Sequence, residues 1–459
     1  MMKRSRILVS LVLCFSLCIS AVASAFADGK PHEEWTGTLR LLGPGIFSAV
    51  GYDGVVDPVT GIQKPGWSVV EARLQEEFPN VKFEIEPIPW DSYQAKIQTA
   101  VAGEMVDVII HGAAVLDVVT DLTPYLEKDA WLKDELFIGA ALRHQKEDNF
   151  DALTPTGIPM TISPAMMILD KQLFEDFGVE LPDPSTLTWR GLADLAAKLT
   201  GINPRTGKQC YGVYPFTVSD GDIFKAYMDA SWGVGAVNID YAAQKYETQF
   251  NFTGEKSIEA LTILRDLFQS APRAFLEGLG TENVATEDND IAIYMNEGNN
   301  EITLYNMMEV RGIEDRFVFC PLPIADNGAS YTSHSGDNNI AIAKNSPNKD
   351  LGWEVIKFIV TDDAIQQWFV DTLSIPNNKA GFEKMLATNK GYVKPIQEIY
   401  RIYPQNFEAF SSEFWNNGFG PANSVGSMNL SEMYAGNITP EQCAENLQAA
   451  LEEYNMLNR

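Results

Sequence analysis

Between Val81 and His111 the spacing of apolar positions changes from every second residue, to every third or fourth, to a continuous run. Val81, Phe83 and Ile85 alternate with Lys82, Glu84 and Glu86, the pattern of a strand with one wet face. Pro87 and Pro89 end it. Asp91 stands where a helix N-cap belongs, Tyr93, Ile97 and Ala100 or Val101 recur at helical spacing, and Gly103 is placed for a left-handed C-terminal cap. Val106 to Ile110 is apolar except for Asp107, which predicts a parallel strand covered on both faces. In an open α/β sheet the carboxyl end of such a strand, here His111 and Gly112, is where ligands bind.

The alternation continues along the chain. Helical stripes span Trp67 to Phe78 (Val70, Leu74, Phe78), Gly191 to Leu199, and Glu255 to Phe268, the last with Thr253 as its cap. Strands are predicted over Leu39 to Leu42, Met166 to Leu169, Tyr211 to Phe216, Ile291 to Met295, Phe317 to Cys320 and Asn339 to Ala343. The Gly- and Pro-rich piece from Gly43 to Gly66 predicts a long loop at the edge of the first domain. Strands alternating with helices favour a doubly wound α/β architecture, and 459 residues exceed one typical core, so two domains are expected.

The unit from Val81 to His111 resembles the amino-terminal lobe of the extracellular solute-binding proteins of ABC importers, in the group built like maltose-binding protein. Three further segments match in order. AMMILDKQLFEDFG (165–178) is similar to that family's strand, acidic or amide turn and Phe-bearing helix. LPDPSTLTWRGLADLAAKL (181–199) resembles its Pro-x-Thr-Trp-x-x-Leu helix start, and NIAIAKNSPNKDLGWEVIKFIVTDDAIQQWF (339–369) its late strand, Ser-Pro-Asn-Lys turn and following helix. The resemblance runs from about Leu39 to Tyr454. It implies an α/β, two-lobe periplasmic binding protein fold of type II, each lobe a doubly wound sheet, with the chain crossing between lobes several times. On that reading residues 28–157 and 325–375 form the first lobe and 161–320 and 378–459 the second. Hinge segments fall near 158–163, 321–325 and 374–377, where Pro159, Pro321, Pro323 and Pro376 favour extended backbone.

Composition narrows the function. Lys3, Arg4 and Arg6 precede the apolar run from Ile7 to Val22, and Ala25-Phe26-Ala27 is a small-x-small cleavage signal, so residues 1–27 read as a Sec leader removed after Ala27. Neither Cys14 nor Cys18 follows a small residue, which argues against lipid attachment. The expected location is the periplasm or the cell exterior. Loss of the leader takes the formal charge from −28 to about −31. No basic tract exists to neutralise phosphates, so nucleic acid is not an expected partner. Cys210, Cys320 and Cys443 are too far apart for a disulfide framework or a metal motif and read as buried thiols. The four histidines, His32, His111, His144 and His334, form no short metal pattern, and no zinc-protease helix, phosphate loop or nucleophile elbow is present. No cofactor is expected. The run Glu287-Asp288-Asn289-Asp290 reads as a solvated loop before a strand.

A sugar presents apolar C–H faces and a ring of hydroxyls, so its site calls for flat aromatic rings and small polar groups. Through the resemblance, His111 stands in the stacking-aromatic position after its strand, with a capping or core role as the alternative. Ser163 occupies the last position of the first crossing, where the family has a carboxylate. Asp222 and Phe224 match an acidic and aromatic stretch of the second lobe, and Trp232 lines the cleft or simply packs. Asn299 and Asn300 replace a tryptophan after a Gly-bearing turn. Gly336 and Asp337 lie where relatives contact ligand from the first lobe, and Trp415 falls in a region that supplies an aromatic, or is core. The resulting expectation is a monomeric, non-catalytic receptor that binds a carbohydrate, an oligosaccharide above all, and hands it to the permease subunits of an ABC transporter. Alternatives are a secreted glycan hydrolase and a receptor that feeds a sensor.

Overall fold

The computed structural model describes residues 32–458 apart from 59–60, 90–91, 111–117, 138, 145–152, 163–164, 215–225, 228–229, 237–238, 241–244, 247–250, 278–282, 329–335, 395 and 398–424. In chain order the first sheet receives β1 (Gly37–Gly43), β2 (Val81–Pro87), β3 (Val108–Ile110), β4 (Ala141–His144) and β5 (Leu153–Ile162). The second receives β6 (Ala165–Asp170), β7 (Gly201–Ile202), β8 (Gln209–Tyr214), β9 (Ile291–Glu297) and β10 (Phe317–Pro321). The chain then returns to the first with β11 (Gly336–Ile342) and β12 (Ile375–Pro376). Strand order is β12-β5-β11-β3-β1-β2 in the first sheet, with β4 also on β5, and β10-β6-β9-β8-β7 in the second.

Period-two alternation decides which core each side chain joins. Leu39, Leu41, Val108, Ile110, Ile340 and Ile342 point into one layer, while Leu42, Ile109, Ala341 and Ala343 point into the layer beneath the opposite face. The second sheet divides in the same way, Met167 and Leu169 on one side and Ile168 on the other. Both sheets are therefore covered twice, which is why Val108 to Ile110 carries no exposed position. Each such fully buried aliphatic side chain contributes about 1.5 to 3 kcal/mol. Asp107 survives inside the apolar run because its buried carboxylate accepts from the Arg40 amide (2.9 Å), Ser346 Oγ (2.7 Å) and Asn348 Nδ2 (3.1 Å), tying the start of β3 to β1 and to the Ser-Pro-Asn turn.

The helices fill these layers. Those of seven residues or more among the described residues are α1 (Ser68–Glu77), α2 (Tyr93–Ala102), α3 (Lys171–Phe177), α4 (Trp189–Lys198), α5 (Glu255–Phe268), α6 (Gly298–Arg311), α7 (Lys349–Thr361), α8 (Asp363–Asp371), α9 (Lys379–Leu386), α10 (Val425–Tyr434) and α11 (Pro440–Asn458). Thr188 caps α4 through the Gly191 amide (3.2 Å), and Leu192, Leu195, Ala196 and Leu199 are buried, the stripe expected from sequence. Asp362 splits α7 from α8: its carboxylate caps the second helix and holds Arg73 at 2.6 Å.

Four local expectations are corrected. Gly103 has φ −88°, and Glu104 takes the left-handed conformation at φ 54°. The amides of Glu104 and Met105 close on the carbonyls of Val101 and Ala100, and a Cβ at position 103 would come within 3.1 Å of Met105 Cε. Gly103 thus supplies no positive φ. The N-cap of α5 is Gly254 without a side-chain cap; Thr253 Oγ1 turns to Asn251 Oδ1 instead (3.2 Å). The stretch 43–66 is not wholly loop, since it contains a short helix (Ile46–Val50) and a two-stranded ribbon pairing Val55–Val56 with Gln63–Lys64. The acidic run ahead of β9 is not fully solvated either: Asn289 is buried and donates to Asp170 Oδ2 (2.6 Å). Asp91, expected to cap α2, lies outside the described residues. Cys210, Cys320 and Cys443 are free and buried, and burial pushes the last two thiols up to about 12.

Candidate ligand-binding site

Strand directions locate the functional edge. β5 is antiparallel to β11, and β11 is antiparallel to β3, so β3 runs with β5 and their carboxyl ends share one edge. β1 is parallel to β3 and ends there too, at Gly43. From that edge the chain passes from Ile162 at the end of β5 to Ala165 at the start of β6, with only 163–164 between them. β9 is antiparallel to β6, pairing Glu297 with Ala165, and β8 is parallel to β9. The carboxyl ends of the parallel strands of both sheets therefore lie beside the same crossing. Open α/β sheets bind ligands at carboxyl ends.

An apolar core sits at the crossing itself. Ile162 and Ile375 from the first sheet pack with Met166 from the second, Ile302 of α6, Val370, Phe382, Met385, Tyr392, Val393 and Ile396. Residues after α9 dock on α6: Lys390 pairs with Glu309 (2.5 Å), Tyr392 meets Tyr305 edge to face at 5.3 Å, and Gly391 passes so close that a Cβ would lie 2.6 Å from Tyr305 Cε2. Small polar groups surround the first-sheet side of this core. Asn377 Nδ2 donates to the Pro159 carbonyl (2.7 Å), and buried Asn338 bridges Thr161 Oγ1 (3.0 Å) and the amide of Ile46 (3.0 Å). Where β1 ends, a side chain at Gly43 would overlap the Ile110 carbonyl, so glycine lets the two strand ends touch.

The ten residues singled out from sequence distribute unevenly. His111, Ser163, Asp222, Phe224 and Trp415 lie outside the described residues. Their described neighbours are informative for four: Ile110 ends β3 at the candidate edge, just before His111, Ile162 and Ala165 flank Ser163, and Tyr214 ends β8 ahead of the stretch that holds Asp222 and Phe224. Gly336 and Asp337 open β11, paired with Ile162 and Thr161 beside the crossing. Asn299 and Asn300 start α6 directly after β9, with no intervening turn. Trp232 is half-buried and packs against the crossing core, and the Gly233 carbonyl beside it accepts the Asp326 amide (2.9 Å) of the returning chain. Sequence reasoning missed Thr161 and Asn377 and did not show what Asn338, next to Asp337, ties together. A local hint existed in the Gly-Pro-Gly that leaves β1, which marks a close backbone approach.

A groove of about 590 Å³ opens on the α2 side of β1 and β2, lined in part by Arg40, Glu84, Glu86, Lys96 and Met105. It is separated from β5 by β11 and β3, and Glu84 pairs with Lys82 (2.6 Å) and Arg40 (3.4 Å). Arg40 and Glu84 are thus engaged with each other, away from the crossing. Among the described residues no cluster of His, Cys, Asp or Glu could hold a metal ion, and no helix is long and apolar enough to cross a membrane.

Comparison with known proteins agrees with this architecture. The family model described as bacterial extracellular solute-binding protein matches residues 63–366. The chain belongs to this family. Among curated relatives of this solute-binding protein, binding proteins of Brucella abortus and Brucella suis are each 23% identical over 323 residues, covering 69% of this chain and 73% of theirs. Solved structures with the same two-lobe fold include the sugar-binding protein MalE of Xanthomonas citri, at 15% identity and TM-score 0.67, covering 92% of this chain and 99% of that one. A solute-binding protein of Agrobacterium radiobacter K84 in complex with ribitol gives 15%, 0.64, 92% and 98%. An ABC substrate-binding protein of Listeria monocytogenes in complex with cycloalternan gives 17%, 0.63, 92% and 99%. The family consists of binding proteins that work outside the cytoplasm.

Proposed function

We propose that this solute-binding protein captures a carbohydrate, an oligosaccharide above all, between its lobes and delivers it to the permease of an ABC transporter. The observation that carries the reading is the convergence of strand carboxyl ends from both sheets on one crossing, which gives a ligand two walls that belong to different lobes. Closure then follows from linkage: only the closed form touches the guest from both sides, so binding shifts the population toward it. His111, Gly336 and Asp337 contribute from the first lobe, Ser163 from the crossing, and Asp222, Phe224, Trp232, Asn299, Asn300 and Trp415 from the second. Aromatic rings cover the sugar faces, while amides, carboxylates and hydroxyls read its hydroxyl pattern. A buried polar group left unpaired by the wrong epimer costs about 1 to 3 kcal/mol. The protein acts as a monomer, without catalysis, after cleavage behind Ala27.

Complexes of fold neighbours with ribitol and cycloalternan support the ligand class, since both guests are polyols. A thermal-shift panel of pentitols, maltose, maltotriose and cyclic glucans tests it, because a ligand at one hundred times its Kd adds about 2.7 kcal/mol to the native state. At least one member should raise the melting temperature by several degrees. No shift with any glycan or polyol refutes the ligand class.

A further inference from the structure

The crossing holds one backbone feature that strand geometry does not require. Asn338 lies inside β11 yet has φ 45°, a left-handed value, and its neighbours keep regular antiparallel pairing, Asp337 with Thr161 and Asn339 with Pro159. Non-glycine residues hold this conformation where the surroundings fix them, and such positions cluster at functional sites. The side chain is 5% exposed, and both ends of its amide are used. Oδ1 accepts from the amide of Ile46 (3.0 Å), and Nδ2 donates to Thr161 Oγ1 (3.0 Å), with Thr161 fully buried.

The two partners have opposite duties. Ile46 opens the short helix that follows Gly43-Pro44-Gly45, the loop leaving β1 at the ligand edge. Its N-cap is Gly45, which has no side chain to satisfy the first free amide, so the cap comes from Asn338 on a distant strand. Thr161 is the penultimate residue of β5, the strand that crosses into the second lobe.

We propose that Asn338 is a positioning residue for ligand capture: one side-chain amide locks the ligand-side loop of β1 to the crossing strand, so that loop and hinge respond together. The inference rests on the receptor reading for its ligand, not for its mechanics. The left-handed backbone aims the amide between the two partners while Asp337, the adjoining ligand candidate, stays in register.

Hydrogen exchange on the ligand-free, full mature chain reads the tie directly. Thr161→Val removes only the hinge-side acceptor, yet should speed exchange at the amides of Ile46 to Val50 at least tenfold. Asn338→Gly, which accepts the left-handed φ without strain, should do the same. Unchanged exchange in Thr161→Val overturns the proposal. Calorimetric titration with maltotriose and with ribitol supplies the second arm. For either probe that the wild type binds, each variant should raise Kd at least tenfold, the double variant no further than the stronger single, with melting temperatures lowered by no more than the few degrees that one lost buried hydrogen bond costs. Additive losses, or a lowered melting temperature at unchanged Kd, mean a merely structural contact and also overturn the proposal. If the wild type binds neither probe, it is the sugar reading that loses support, and the exchange arm decides the tie alone.

Discussion

Replacing Asp170 separates the end of the second sheet that stabilises it from the end that meets ligand. The carboxylate terminates β6 and is 1% exposed. Oδ1 caps α3 through the amides of Gln172 (3.0 Å) and Leu173 (3.3 Å) and accepts Arg316 Nε (2.7 Å). Oδ2 accepts Arg316 Nη2 and Asn289 Nδ2, both at 2.6 Å. Truncation to alanine removes an N-cap, about 1 kcal/mol, and leaves a largely buried guanidinium without its carboxylate, about 3 to 5 kcal/mol for a broken buried pair. The two losses share one group and do not add fully, so Asp170→Ala should cost about 4 kcal/mol. Asp170→Asn keeps the shape and an equally good cap but loses the charge and sets an NH2 donor against Arg316 Nη2 and Asn289 Nδ2 in place of the Oδ2 acceptor, about 2 to 3 kcal/mol.

Asp170 stands five residues along β6 from Ala165, the residue nearest the crossing, and therefore about 17 Å from the ligand edge at 3.3 Å per residue. Ligand affinity should stay within about twofold of wild type in both variants, as expected for sites this far apart. Urea denaturation gives the stabilities and calorimetric titration the affinities. Wild-type stability in Asp170→Asn would show that the charge contributes nothing. A tenfold loss of affinity would refute the assignment of the ligand edge to the opposite end of the sheet.

Two further outcomes follow from local geometry. Glu104→Gly should raise stability by about 0.5 kcal/mol, because removing a left-handed non-glycine residue gains about 1 kcal/mol and unfolded-state entropy takes part of it back; a loss in urea denaturation would mean that Glu104 makes a compensating contact. Two half-buried carboxylates should respond to pH with opposite signs. Burial opposes ionisation of Asp129, but hydrogen bonds from Trp353 Nε1 (2.7 Å), Lys357 Nζ (2.9 Å) and Trp131 outweigh it and hold its pKa below the usual range. Its contribution is present above about pH 4 and disappears as pH falls through the lower folded value. Asp290 is raised by burial, more than Asn283 and Lys208 offset, and its Oδ1 has no hydrogen-bond partner among the described residues. It destabilises above its folded pKa, so Asp290→Asn should stabilise at pH 7 and lose the advantage in acid. Asp129→Asn should do the reverse, destabilising at pH 7 and flattening the acid limb. Matching signs in denaturation midpoints at pH 7 and pH 3 would refute the reading of both sites.

The fold was legible because its signals are local and repeated. Val81, Phe83 and Ile85 each report the same face, so one exposed partner more or less does not change the conclusion, and burial follows the alternation from Val81 to Phe83. Boundaries depend on single residues and are read less well. Gly103 carries the signature of a left-handed cap, yet the positive φ falls one residue later, at Glu104. The site is harder again, since its logic joins segments that sequence cannot bring together. Asp337 is visible as a carboxylate beside a strand, whereas Asn338 acquires meaning only when Ile46 and Thr161 arrive on either side of it. Neither partner shares a period, a motif or a spacing with Asn338. The same reasoning explains why the Gly-Pro-Gly after β1 read as loop: its shape is imposed by Ile110 and by an amide from β11, both supplied by tertiary packing. A receptor that must close around a guest places its decisive contacts where distant strands meet, and those are the positions at which local propensity carries the least information.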